Sequence, residues 1–427
     1  MTIHRMNTSH RIPRPALSRA IVALLLLPLV PACDRPYDGP PVTGYDSAGV
    51  RIVEAHVPVW TDSTAWRLDP EPVLDLHALG PTDAFTFFRI RGMRRLGDGT
   101  LAVVTAGTGE IRLFSESGDH IASVGGLGEG PGEFGRLEGI ELVGDSIFAL
   151  DSDGDIAVFG PVPNPTHLRT MSLDYVRLWS LHSLDDGTLV LQAITSEPPP
   201  AATGIVRTPR ALLRLNLDGE LVDSIGTVAG PEEYTDNVSF SGTPLFPKSS
   251  IVASRNGRIY YGSADLMEVR ELGPDGELLR VLRIPDYPLE LGEELVEAER
   301  QARLGSVPAM LREAIQSLPT PATRPAYRDM LVDPTGAIWL RPHEGITEGG
   351  TPLDWQVIDA DGTWLGGVTV PTNVRIWDIG IDEVLGSWID EQGQQHPLVF
   401  RLRRGGSERT GRAAGGGGRE DSHPPPQ

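Results

Sequence analysis

A unit of four short apolar segments separated by turn signals recurs along residues 66–404, and this repeat constrains the fold more than any other feature. The unit is clearest between residues 90 and 125. Its four predicted strands are residues 90–96, 101–105, 111–115 and 120–124. Gly97-Asp98-Gly99 joins the first two, and Asp-Gly between apolar runs indicates a hairpin because both residues tolerate positive φ. A repeat of this length is typical of propellers and solenoids.

Five further copies follow the first, and the last copy is incomplete. They cover residues 137–173, 176–228, 250–284, 329–370 and 375–402. The sixth copy ends after three strands, which would leave an exposed sheet edge. We expect residues 66–76, upstream of the first copy, to supply the missing strand and so to join the two ends of the chain. The predicted fold is an all-β, single six-bladed β-propeller over residues 66–404, closed by an N-terminal strand.

Residues 289–318 interrupt the repeat with helical periodicity. Leu291 and Leu295 begin one apolar stripe, and Leu311 and Ile315 belong to another. Gly305 and Pro308 lie between the stripes and are expected to separate two helices, because proline interrupts helical hydrogen bonding. We expect a helical insertion packed on the side of the propeller, since loops of repeat proteins vary freely. The alternative is a lid over one mouth of the central channel.

The N-terminus has the pattern of a bacterial export signal. Arginines precede a short apolar run over residues 20–30, which is too short to span a membrane because a spanning helix needs about 20 residues. Val30-Pro31-Ala32-Cys33 then resembles a lipobox, in which the cysteine becomes lipidated. We therefore divide the chain into a signal peptide (1–32), a tether and leader (33–65), the propeller, and a disordered tail (405–427). Lipid on Cys33 would hold the protein at the bacterial cell envelope.

Composition limits the partners. The formal net charge of −21 argues against nucleic-acid binding and against electrostatic attachment to anionic lipid, because both require a basic surface. Cys33 is the only cysteine, which excludes disulfides within the chain. The expected partners are therefore a membrane, through the lipid alone, and an anionic ligand or an envelope protein.

Two segments resemble known propeller proteins. Residues 124–134, Val-Gly-Gly-Leu-Gly-Glu-Gly-Pro-Gly-Glu-Phe, resemble the inter-blade loop of NHL-repeat propellers. Residues 46–54, Asp-Ser-Ala-Gly-Val-Arg-Ile-Val-Glu, are similar to a leader of six-bladed propeller lipoproteins from environmental bacteria. The chain thus resembles bacterial six-bladed lipoproteins of the NHL-repeat-like and TolB-like kind. This resemblance implies the fold and leaves the function open, since propellers have many functions.

A basic residue recurs near the start of the innermost strand of each unit, usually two positions after an aromatic residue. The six bases are Arg89, Arg136, Arg177, Lys248, Arg328 and Arg375. The aromatic residues are Phe87, Phe134, Tyr175, Phe246 and Tyr327, and Asn373 replaces the aromatic in the sixth unit. Equivalent positions form a ring, so inward bases would make a cationic collar suited to carboxylate or phosphate. In the alternative arrangement the aromatics wedge between blades and the bases point outward to solvent.

Evidence for catalysis is sparse in the sequence. Among the histidines only His182 falls on a predicted inner strand, and Glu138, Asp329 and Asp378 are the carboxylates placed there. A divalent-cation-dependent hydrolase or lyase of the gluconolactonase or strictosidine-synthase-like kind would need several such groups around one point. We therefore assign no catalytic residue, metal or cofactor, and predict a non-catalytic, envelope-anchored module that binds an anionic small molecule, peptide or glycan. The alternatives are the cation-dependent enzyme and a protein-interaction scaffold.

Overall fold

The computed structural model describes residues 37–196, 203–236, 241–343, 353–371 and 373–405. The predicted signal peptide and Cys33 lie outside these residues, as does the predicted tail after Gly405. No helix within the described ranges is long and apolar enough to cross a membrane.

Antiparallel sheets make up most of the described chain. A hairpin of β1 (Val42–Ser47) and β2 (Val50–Ala55) comes first, followed by two short strands, β3 (Arg67–Leu68) and β4 (Leu74–Asp75). The first sheet contains β5 (Ile90–Arg95), β6 (Leu101–Thr105), β7 (Glu110–Phe114) and β8 (His120–Gly125). The second contains β9 (Leu137–Val143), β10 (Ser146–Asp151), β11 (Asp155–Gly160) and β12 (Thr166–Ser172). The third contains β13 (Arg177–Ser183), β14 (Leu189–Ile194), β16 (Arg210–Leu215) and β17 (Leu221–Val228).

Three more sheets of the same kind follow. The fourth contains β20 (Ile251–Arg255), β21 (Arg258–Gly262), β22 (Glu268–Leu272) and β23 (Leu278–Arg283). The fifth contains β24 (Tyr327–Val332), β25 (Ile338–Pro342), β26 (Leu353–Ile358) and β27 (Trp364–Val370). The sixth contains β28 (Arg375–Ile379), β29 (Glu383–Ile389) and β30 (Gln395–Arg403), with β3 and β4 beside β30.

Each sheet shares a hydrophobic core with the next sheet. Phe134 packs in the core between the first and second sheets, and Leu189 packs between the second and third. The sixth and first sheets also share a core, in which Leu385 and Val399 meet Met93 and Phe114. The second strand of each sheet is therefore covered on both faces, which explains apolar runs such as the wholly buried Leu101–Thr105.

The first strands of the six sheets contact one another in circular order. β5 contacts β9, β9 contacts β13, β13 contacts β20, β20 contacts β24, β24 contacts β28, and β28 contacts β5. Successive strands of a sheet are antiparallel, so the chain reverses direction at every turn. All six first strands therefore begin at the same end of their sheets. We call this end the mouth.

The N-terminal segment pairs with the last strand of the chain. Arg67 and Leu68 lie opposite Arg403 and Leu402, and Leu74 lies opposite Val399. Leu76 is fully buried beside Phe87 and Val399. Residues 66–76 therefore supply the outer edge of the sixth sheet, where the repeat lacked a fourth strand.

The leader is folded, contrary to the expectation of a tether over residues 33–65. β2 pairs in parallel with β23, the outer strand of the fourth sheet, and β1 lies on its other side. Ile52, Val53 and Ala55 are buried there. The alternating apolar residues of β2 find a partner only in the tertiary structure, so the leader extends the fourth sheet to six strands.

A cap of two helices and a small sheet lies at the mouth end. The helices are α1 (Glu293–Ser306) and α2 (Arg312–Ser317), and the sheet contains β15 (Gly204–Arg207), β18 (Glu232–Thr235) and β19 (Ser241–Gly242). Val296 and Ile315 of the helices pack against Phe246. The cap segments connect β14 to β16, β17 to β20, and β23 to β24, and all three connections leave the sheets at the mouth end. The helical insertion therefore leaves and re-enters the sheets at this end.

Candidate functional site

All six predicted bases lie at the mouth. Arg89 and Arg136 directly precede β5 and β9, Lys248 shortly precedes β20, and the other three lie in the first two positions of β13, β24 and β28. Their side chains are exposed, except that Lys248 is partly buried. Arg89 has a left-handed backbone with φ of 54°, which is unusual for a residue with a side chain.

The aromatic residues of the motif are packed in hydrophobic cores. Phe87, Phe134, Phe246 and Tyr327 are all almost completely buried. Tyr327 lies in the core shared by the fourth and fifth sheets, and its hydroxyl donates to the carbonyl of Glu268 at 2.7 Å. Phe87, Phe134, Tyr175 and Tyr327 therefore lie between neighbouring sheets, whereas Phe246 packs in the cap core. The bases that follow these aromatics stay at the surface of the mouth.

Most of these bases have no ion pair and no side-chain hydrogen bond within the described part of the chain. Arg89, Arg136, Arg177, Arg328 and Arg375 form no ion pair there, and their side chains donate no hydrogen bond. Lys248 differs, because its Nζ lies 3.6 Å from an Asp265 carboxylate oxygen and donates to Thr323 Oγ1 at 2.9 Å. Arginines further along the first strands are paired, as the 3.3 Å contact between Arg94 and Glu141 illustrates.

The first of two arginine–tryptophan stacks lies on the third sheet. The guanidinium carbon of Arg210 is 3.3 Å from the centroid of the Trp179 ring, and that of Arg177 is 5.2 Å from it. Arg210 is only 2% exposed, and its side chain has no ion pair or hydrogen bond to the described residues. Burial and the neighbouring charge of Arg177 together lower the pKa of Arg210 to about 10, although the Glu233 carboxylate opposes this shift. A β-bulge between Leu178 and Ser180 sets the direction of Trp179.

The second stack lies on the sixth sheet. Arg375 lies 4.1 Å from the centroid of the Trp377 ring, and the Trp377 indole N–H donates to Ser387 Oγ at 2.8 Å. Burial lowers the pKa of the Arg375 guanidinium, Asp329 opposes this effect, and the nearby cations add to it. Those cations are Arg91, Arg328 and Arg341.

A cavity of about 190 Å³ reaches the indole ring of each stack. Trp179 and Trp377 both line it, together with Arg91, Glu138 and His182. A second cavity of about 360 Å³ shares Arg94, Glu141 and His182 with the first and extends to the turns at the opposite end of the sheets. The six first strands therefore surround a polar space that begins at the tryptophans.

The carboxylates considered for a cation-dependent enzyme are engaged in ion pairs. The closest N–O distances are 3.8 Å for Arg91 with Glu138, 3.3 Å for Arg341 with Asp329, and 3.4 Å for Arg255 with Asp378. The described residues contain no group of three or more histidine, cysteine, aspartate or glutamate side chains placed to hold a metal ion. Burial lowers the pKa of His182, whose Nε2 lies 3.0 Å from Ser180 Oγ.

The structure thus brings together only part of the predicted collar. Arg328 and Arg375 lie close to each other, whereas Arg177 is grouped with Arg210. Sequence reasoning missed Arg210 and both tryptophans. Arg210 begins the third strand of its sheet, so no periodic pattern could place it beside the first strand. A tryptophan follows the base by two positions in both sheets, as Trp179 follows Arg177 and Trp377 follows Arg375. This Arg-x-Trp spacing is the sequence signal that could have identified the two tryptophans.

Known structures share the overall fold. A putative exported protein from Bacteroides fragilis matches with a TM-score of 0.50 at 12% identity, over 82% of this chain and 98% of that one. A DUF4221 family member from Bacteroides vulgatus matches with a TM-score of 0.50 at 12% identity, over 80% and 100%. A gluconolactonase from Xanthomonas campestris is more distant, with a TM-score of 0.39 at 13% identity, over 74% and 87%. No family model matches the sequence, and no curated protein matches it significantly. The fold is therefore propeller-like.

Proposed function

We propose that the chain is a single six-bladed β-propeller, closed by residues 66–76, that binds an anionic ligand at its mouth. The circular order of contacts among the six first strands supports closure of the ring, as does the core shared by the sixth and first sheets. The wedge-like aromatics support an NHL-type arrangement of the blades.

The protein is proposed to work at the bacterial envelope. This part of the proposal rests on the export signal and on Cys33, both of which lie outside the described residues. The putative exported protein with a similar fold is compatible with it. Because the hairpin of β1 and β2 belongs to the fourth sheet, a lipid on Cys33 would hold the propeller close to the membrane surface.

The observation that carries the binding proposal is the concentration of unpaired arginines at the mouth. Five of the six collar bases have no ion pair or side-chain hydrogen bond in the described chain, and neither does Arg210 beneath the surface. In a chain with a net charge of −21 this is a local reversal of charge. An anion there would gain charge-assisted hydrogen bonds and would relieve repulsion among the guanidinium groups.

The first prediction concerns two exposed arginines of the mouth. Arg177→Gln and Arg375→Gln should each weaken binding of citrate or inorganic phosphate to the full chain by roughly tenfold, because each removes one charge-assisted contact. Calorimetric titration at low ionic strength measures the affinity. Added salt should weaken binding to the unaltered protein.

Arg401→Gln is the matched control. Arg401 is an exposed arginine on β30, outside the mouth, and it also lacks an ion pair within the described residues. The Arg401→Gln variant should leave the affinity for citrate and phosphate unchanged. Equal losses in all three variants would show a nonspecific effect of net charge, and an absence of binding to any anion would contradict the proposal.

A further inference from the structure

We propose that the mouth accepts an elongated ligand with an anionic group at each end, one for each arginine–tryptophan stack. This inference rests on the proposed function and specifies the class of ligand. The three observations behind it are the matching chemistry of the stacks, their placement on opposite sheets, and the cavity that both tryptophans line.

The two stacks offer the same kind of anion site. A guanidinium that lies over an indole ring keeps its N–H groups free at its edge, where a carboxylate can bind in a bidentate manner. Arg375 is stacked on Trp377 in this way. At the other ring the exposed Arg177 lies 5.2 Å from the centroid of Trp179, and the buried Arg210 is stacked on the same ring. Stacking also restricts the side chain, which lowers the entropy cost of binding.

Arg210 points to a missing anion at the first stack. A buried guanidinium without an acceptor is unfavourable, because it has lost its hydration without gaining a hydrogen bond. Arg210 is 2% exposed, and no acceptor among the described residues contacts its side chain. Trp179 beside it is 41% exposed, and Arg177 is exposed next to the same ring. A carboxylate that binds Arg177 at this surface would also compensate the charge of Arg210.

The placement of the stacks fixes the shape of the ligand. The third and sixth first strands are three positions apart in a circular order of six, so the stacks lie on opposite sides of the mouth. Both indoles line the same cavity, whose wall between them includes Ile140 and Leu181. The charged residues of the same wall are paired with one another, Arg91 with Glu138 and Arg94 with Glu141, so the wall offers no unpaired charge to the middle of a ligand. The groups expected are therefore two terminal anions joined by a short, uncharged body.

Calorimetric titration of the full chain with straight-chain dicarboxylates, from succinate to suberate, tests this inference. Each dicarboxylate is compared with the monocarboxylate of equal chain length. We expect one optimal length, at which the dicarboxylate binds at least tenfold more tightly than its monocarboxylate. Quenching of tryptophan fluorescence should accompany binding and should be reduced in Trp179→Phe and Trp377→Phe.

Variants separate one bidentate ligand from two independent anions. Arg177→Gln and Arg375→Gln should each reduce the affinity for the optimal dicarboxylate to that for the monocarboxylate, and the double variant should lose little more. Additive losses, or no preference for dicarboxylates while monocarboxylates still bind, would overturn the inference and leave the proposed function standing. If no carboxylate or phosphate binds at all, the proposed function fails as well.

Discussion

Asp333 joins two neighbouring sheets through one carboxylate. Its side chain is fully buried and accepts hydrogen bonds from the Thr335 backbone and hydroxyl, from the Ala337 N–H, and from the Trp339 indole at 3.0 Å. Arg404, which follows the last strand of the sixth sheet, donates to the same carboxylate at 2.8 Å. This single carboxylate therefore orders a turn of the fifth sheet and joins it to the sixth.

Asp333→Ala should lower the free energy of unfolding by about 3–5 kcal/mol, because it leaves a partly buried arginine and several N–H groups without their acceptor. Urea denaturation followed by circular dichroism measures the change. Asp359→Ala is the control, since Asp359 caps the equivalent kind of turn through the Asp361 and Thr363 backbones but has no arginine partner among the described residues. Its cost should be about 1 kcal/mol. Equal costs would show that the ion pair with Arg404 contributes nothing.

Prediction from sequence succeeded for residues that act locally and failed for those that act across the fold. Asp186-Gly187 and Asn256-Gly257 lie in turns whose glycines have positive φ, because turn chemistry is decided within four residues. The sequence left two arrangements open, and in one of them Phe134 wedges between blades. Burial of the Phe134 side chain in the core of the first two sheets favours that arrangement. Arg210 reaches Trp179 across strands of the third sheet, and neither residue carries a local sign of that contact.

At the scale of elements, the strands of the six sheets followed from short apolar segments between turn signals, whereas the leader and the cap sheet did not. β15 and β18 are short and contain charged residues, so their sequence resembles that of a loop. They become strands only because they pair with each other in register from Gly204 to Arg207. The leader strand β2 likewise needs β23 as its partner.

The junction between the cap and the fifth sheet should be sensitive to acid. His343 follows β25, its ring lies 5.6 Å from that of Phe246 in the cap core, and its carbonyl accepts from Arg324 at 3.1 Å. Burial and the charge of Arg328 together lower the pKa of His343 to about 4. Since a histidine in the unfolded chain titrates near 6.5, the unfolded state takes up a proton first as the pH falls.

This linkage makes the free energy of unfolding decrease as the pH falls from about 6.5 to about 4, by up to about 3 kcal/mol from this residue. In His343→Gln that part of the pH dependence should disappear, whereas stability at pH 8 should change little. Denaturation at a series of pH values measures the difference. His120→Gln serves as the control because His120 is exposed on β8. An unchanged pH profile in His343→Gln would show that this junction does not carry the acid sensitivity.

At the scale of the whole molecule, the decisive feature is the pairing of the two ends of the folded chain. Arg67 and Arg403 lie opposite each other and are both exposed, so a cysteine pair at these positions should form a disulfide without disturbing the core. Cys33→Ser removes the only native thiol from the same variant. The new bond encloses nearly the entire propeller, and the chain-entropy model predicts stabilisation on the order of 5 kcal/mol for so long a loop.

A second cysteine pair, Asp46→Cys with Arg51→Cys, sets the scale for this gain. These exposed residues lie opposite each other in the hairpin of β1 and β2, where a disulfide encloses only a few residues and should stabilise much less. Thermal unfolding with and without reductant measures both gains, and thiol titration shows whether each bond has formed. If the ring is closed by residues 66–76, the Arg67–Arg403 pair will oxidise completely and raise the midpoint more than the hairpin pair, because every unfolding route must otherwise separate these ends. Free thiols at positions 67 and 403 under oxidising conditions would show instead that the ends are not held together in solution, and an open array of sheets would then replace the closed propeller.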